Sequence, residues 1–149
     1  MTKFLLSVHV IAAIVAIGPV TVAASMFPPA ARKALETPDD PGATGTVALL
    51  HRICQVYAAV GVAVPVFGLA TGSAMGVLGD AWLITSIVLT VLAAAVLVLL
   101  VLPRQGALAE GRGTRETTVR LAMFTGIFNL LWATVTVLMI VRPGSTTGA

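Results

Sequence analysis

This chain of 149 residues has little of what most protein chemistry needs. It holds one cysteine, Cys54, which excludes an intrachain disulfide and a cysteine-based metal site. Charged residues make up only 10%, against roughly a quarter in a typical soluble domain. Aromatics are 5%. The six carboxylates, Glu36, Asp39, Asp40, Asp80, Glu110 and Glu116, all fall between or at the edges of the apolar runs. Without an acidic residue inside such a run, a proton relay or cation-coupled transport path lacks its usual group. The chain also has no paired-carboxylate site, no phosphate-binding glycine loop, and no nucleophile with a base at a recognisable spacing.

What the chain has in excess is apolar length. Hydrophobic residues are 58% of the total and fall in four blocks, residues 4–27, 49–72, 81–102 and 119–141. As helices, each would span about 33–36 Å, enough to cross a hydrocarbon core of about 30 Å. Four all-apolar helices could not be buried in a soluble protein of this size. The expected fold is all-α, an antiparallel transmembrane four-helix bundle forming one integral membrane domain over residues 1–149.

Charge distribution sets the expected orientation. Seven of the nine basic residues lie in or beside the first and third connectors: Arg32, Lys33, Arg52, Arg104, Arg112, Arg115 and Arg120. The connector at residues 73–80 has none. Basic connectors stay in the cytoplasm, so both termini are expected outside. The net charge of +3 therefore reads as a topology signal and not as affinity for nucleic acid. Arg32, Lys33, Arg52, Trp82, Arg104 and Arg120 are the expected membrane-interface anchors. Lys3, the apolar stretch that follows it and Val22-Ala23-Ala24 resemble a cleavable leader, but the charge distribution favours a retained first span.

The second block is expected to be the packing hub. Cys54, Ala58, Gly61, Pro65, Gly68 and Gly72 recur every three or four residues, a small-residue face that lets another backbone approach. His9, Ala12, Ala13, Ala16, Ala23 and Ala24 give the first block a matching face. In the fourth, Ala122, Thr125, Gly126, Asn129, Ala133 and Thr136 share a face, and Asn129, the amide nearest mid-membrane, should point into the bundle. Gly18-Pro19 should kink the first span, with Pro28 and Pro29 ending it and Pro103 ending the third. A short turn should make the second and third spans a tight hairpin. The Leu- and Val-rich third span should be the most lipid-exposed. The connector after Pro103 is expected to be flexible, with Thr117 or Thr118 capping the fourth helix, and the tail to Ala149 to be disordered.

Two histidines invite a haem b reading, because imidazoles on facing helices can ligate one iron. The expected topology sets His9 and His51 near opposite ends of the bundle, so one iron cannot take both within a monomer. Single-histidine ligation or ligation across a dimer stays open. The plainer alternative is a structural role for both, and no bound cofactor. An inner cluster of His51, Arg52 and Arg120 could meet an acidic lipid or partner, but simple snorkelling explains the arginines as well.

Three stretches carry a family likeness: Leu6-Ser7-Val8-His9; a basic pair opening the second span, which ends Pro65-Val66-Phe67-Gly68-Leu69-Ala70-Thr71-Gly72; and Leu138-Met139-Ile140-Val141-Arg142-Pro143. In these the chain resembles bacterial four-span proteins described only as predicted integral membrane proteins of unknown function. The likeness implies a fold and a membrane location, with no activity. More remotely, the early histidine is similar to one in four-span proteins of copper resistance and haem synthesis, whose other polar residues are missing here. The bias to Ala, Val, Gly and Arg, with two lysines, suits a GC-rich bacterial genome. The expected function is that of a non-enzymatic accessory, assembly or scaffold subunit in a bacterial plasma membrane, working in a homo-oligomer or a larger complex. The alternatives are a haem-binding or redox protein using His9, and a small-solute transporter acting as an oligomer.

Overall fold

The computed structural model describes residues 1–144; the expected disorder of the tail to Ala149 lies outside the described residues. Four helices are long and apolar enough to cross a membrane: α1 (Thr2–Glu36), α2 (Pro41–Met75), α3 (Ala81–Ala109) and α4 (Arg115–Val141). No strand occurs among the described residues. The chain is an all-α four-helix bundle. The turns after α1 and α3 mark its basic end, and the chain's start, the turn after α2 and the end of α4 mark the opposite, terminal end.

Each helix runs past the limits its hydrophobicity suggests. α1 continues through Pro19, Pro28 and Pro29, with Pro28 and Phe27 buried. Prolines 28 and 29 lack an N–H, so the carbonyls of Ala24 and Ser25 lose their helical donors, but the backbone stays helical. Pro103 does not stop α3 either. The preceding segment Val96–Val101 widens into π-helix, which gives the pyrrolidine ring room, and α-helix resumes over Leu102–Ala109. The Arg104 guanidinium donates to the Leu100 carbonyl at 2.9 Å, meeting an acceptor in the disturbed turn. The expected flexible connector therefore shrinks to a short turn around Gly111, whose φ of 76° suits glycine. Thr114, and not Thr117 or Thr118, caps α4: its hydroxyl accepts from the Thr117 N–H while the Thr117 hydroxyl accepts from the Thr114 N–H, a capping box. Thr118 turns back to the Arg115 carbonyl.

The hub is α1 and not α2. α1 packs along α2 and along α4, and its Ala16, Val20, Ala23, Ala24, Phe27 and Ala31 are buried. α2 is instead the helix with the smallest buried share, and α3, expected to be the most exposed, has the largest. The regular helix of α2 is interrupted at Gly61-Val62, although both residues keep α-helical torsions. Cys54 and Gly72 point inward, whereas Pro65, on the expected packing face, is exposed. Nor do α2 and α3 form a tight hairpin along their length. They meet beside the turn at residues 76–80 and again near the basic end, with little contact between.

Candidate functional site

At three places in the bundle a polar side chain reaches across to a neighbouring helix. The first is a clasp near the terminal end. His9 is 9% exposed, and its Nδ1 lies 2.8 Å from the Val64 carbonyl oxygen of α2. A carbonyl only accepts, so Nδ1 is the donor in this bond. Gly68 makes the clasp possible: a Cβ there would stand 2.9 Å from His9 Cε1. The glycine is needed for an incoming ring, a sharper role than general small-residue packing. Gly72 serves likewise against Leu83 and Leu78.

The second is a cluster near the basic end. Gln105 of α3 is fully buried. Its Oε1 accepts from His51 Nδ1 at 3.1 Å, and its Nε2 donates to Cys54 Sγ at 3.5 Å. The Phe27 ring stands edge-on to His51 at 6.4 Å between centroids. Three helices thus meet around one amide. Sequence reasoning missed Gln105 because it took Pro103 as the end of the span. The signal was present in Val101, Leu102, Gln105 and Leu108, which continue the helical period. His51 is drawn to Gln105, and the cluster with Arg52 and Arg120 does not form: Arg52 is exposed, and Arg120 pairs with Glu116 at 2.8 Å on the surface. Val64, which His9 meets, lies thirteen positions beyond His51 on α2, about 20 Å of helical rise, so the two histidines keep the separate depths expected of them.

The third is a groove of about 310 Å³ between α1 and α4. α1 supplies Ser25, Pro28, Pro29 and Arg32, and α4 supplies Ala122, Thr125, Gly126 and Asn129. Asn129 Nδ2 donates to Ser25 Oγ of α1 at 3.2 Å. Its Oδ1 is buried with no partner, as is the hydroxyl of Thr125 on the same wall and that of Thr21, one turn before Ser25 on α1. Sequence reasoning placed the α4 wall on one face but missed the α1 wall, because Pro28 and Pro29 read as a helix end.

The remaining anchors lie at the bundle's ends. Trp82 is largely buried, its Nε1 donating to Asp80 Oδ2 at 3.1 Å and its ring facing the Arg142 guanidinium at 5.6 Å. Arg104 also lies over the Phe124 ring at 4.6 Å. Arg32 and Lys33 are exposed in the last turns of α1, and Ala58 packs against the core next to Cys54. Among the described residues, no three His, Cys, Asp or Glu side chains gather as a metal site. Comparison with known proteins finds no match, whether among family models, curated proteins or solved structures.

Proposed function

We propose that this chain is a non-enzymatic accessory subunit, acting as a scaffold or assembly partner for a membrane-embedded chain. The observation that carries this reading is the α1/α4 groove. It opens on the side of the bundle and leaves buried polar atoms unsatisfied, whereas the other polar clusters are closed by contacts within the chain. Ala122 and Gly126 on its wall leave room for a neighbouring helix backbone to approach. The seven basic residues near one end favour that end in the cytoplasm and both termini outside, in a bacterial plasma membrane.

Chemical crosslinking in native membranes, followed by purification in mild detergent, tests the reading. The expected result is a crosslinked species containing this chain and one further membrane chain, its own copy or another. A lone monomer under every condition would overturn it.

A second reading, haem binding through His9, is favoured by one observation: the Nδ1–H bond to Val64 orients the imidazole and leaves Nε2 free to ligate, as second-sphere carbonyls do for metal-bound histidines. An absorption spectrum of protein made with full haem supply tests it. A Soret band that His9→Ala abolishes would support it, and a featureless spectrum would end it.

A further inference from the structure

We infer that a pocket at the basic end, between the end of α3 and the start of α4, holds the phosphate of an anionic phospholipid. This goes beyond the accessory-subunit reading and does not rest on it. The pocket has a volume of about 270 Å³ and is lined by Arg104 of α3 and by Thr114, Glu116, Thr117 and Arg120 at the start of α4. It exists because α3 runs on through Pro103, which carries Arg104 beside the first turns of α4.

Arg104 is the group that calls for an anion. It is half-buried, its Nη1 donates to the Leu100 carbonyl at 2.9 Å, and its guanidinium lies over the Phe124 ring at 4.6 Å. Both contacts fix the fork in place, and neither neutralises it. Among the described residues no carboxylate stands within ion-pair distance of it, because Glu110 pairs with Arg112 and Glu116 with Arg120. A partly desolvated cation without a counter-ion is costly, and an arginine fork suits phosphate oxygens.

The other walls supply further donors. Thr114 Oγ and Thr117 Oγ each accept a backbone N–H of the capping box and lie 3.2 Å apart. Whichever hydroxyl donates to the other, the second keeps a hydrogen with no acceptor in the chain. Arg120 brings a second guanidinium, and its pair with Glu116 is exposed and weak. Two guanidinium groups against one carboxylate leave the walls with one net positive charge, the match for a phosphodiester.

The surface beside the pocket selects a lipid over a soluble anion. From Arg120, exposed Met123, Ile127 and Leu130 follow at helical spacing and make an apolar stripe down α4. A phospholipid with its phosphate on Arg104 and Arg120 lays its acyl chains along that stripe. A soluble phosphate has nothing to place there, and an acidic protein segment would have to cover apolar surface. A choline headgroup would set its own cation beside two guanidinium groups, so an anionic headgroup is preferred.

The test uses the full chain in neutral detergent micelles, titrated with phosphatidylglycerol and read by native mass spectrometry. The chain should retain phosphatidylglycerol under conditions that strip phosphatidylcholine. Arg104→Gln should raise the dissociation constant about tenfold, through loss of charge-assisted bonds. Arg104→Lys should recover only part of this, since an ammonium lacks the fork. Glu116→Gln should tighten binding about threefold by freeing Arg120, and Arg120→Gln should weaken it by a similar factor. Lys33→Gln, which removes an exposed charge in the other basic connector, should change nothing. Circular dichroism controls for folding; should Arg104→Gln misfold, Glu116→Gln and Arg120→Gln carry the test. Equal retention of phosphatidylcholine overturns the inference, as does a loss with Lys33→Gln as large as that with Arg104→Gln. Inorganic phosphate binding alone with comparable affinity would make this a site for a soluble anion and overturn the lipid. A crosslinked protein that Arg104→Gln releases while lipid binding stays unchanged would give the pocket to an acidic segment, and overturn it too.

Discussion

α1 has two seams, and they treat polar groups oppositely. Toward α2 and the basic end of α3, each buried polar side chain has found a partner: His9 on the Val64 carbonyl, His51 and Cys54 on Gln105. At the groove with α4, Thr125 and half of the Asn129 amide have none. The first seam is finished within one chain and the second is not. In an apolar medium, closed polar contacts hold a fold in one register, whereas a covered oxygen without a partner is a standing cost.

The largest test of this contrast is at the closed seam. In Gly68→Val, the first added carbon lands 2.9 Å from the His9 ring, so the ring must leave and its bond to Val64 breaks. We expect a loss of about 3 kcal/mol, the upper end of overpacking costs, measured by denaturing-detergent titration in mixed micelles. A double-mutant cycle sharpens it: in a His9→Ala background the same substitution should cost about 1 kcal/mol, because the space is then vacant. Equal costs in both backgrounds would mean that Gly68 is not there for the ring.

Next in size is Gln105→Leu. It removes the acceptor of His51 and the donor to Cys54 from a fully buried site. Leaving a buried donor unmet costs about 1–3 kcal/mol, and we expect about 2 kcal/mol in the same titration. Faster maleimide labelling of the buried Cys54 should accompany it. Unchanged stability would show that the closed seam owes its strength to apolar packing alone.

The number of helices and their approximate extents were legible in hydropathy, because crossing a membrane constrains composition before anything else does. The bundle's centre was not. Pro28, Pro29 and Pro103 read as terminators on rules learned where water competes for freed carbonyls. In an apolar setting the helix is the least costly backbone even with a bond missing, so α1 and α3 run on, by a π-helical turn in the case of α3. That one misreading hid both Gln105 and the α1 wall of the groove. The small-residue stripe of α2 was visible, but the exposure of Pro65 within it was not, since period counting assumes an unbroken helix. His9 and Gly68 could each be singled out from sequence; that one makes room for the other needs the geometry.

The smallest expected effect discriminates most. Asn129→Leu makes the same kind of change as Gln105→Leu, an amide replaced by a branched apolar side chain. If the seams were alike, the costs would be alike. At Asn129, however, half of the amide is already buried without a partner, and the other half meets only Ser25, whose side chain is exposed. Removing a group that already bears its desolvation cost can be neutral or stabilising. In mixed micelles dilute enough to hold the chain as a monomer, the stability should therefore change by less than about 0.5 kcal/mol, or rise. A loss near that of Gln105→Leu would mean that Asn129 stabilises the isolated chain through its own contacts. The groove would then be a closed seam like the other, and the contrast between the two sides of α1 would disappear.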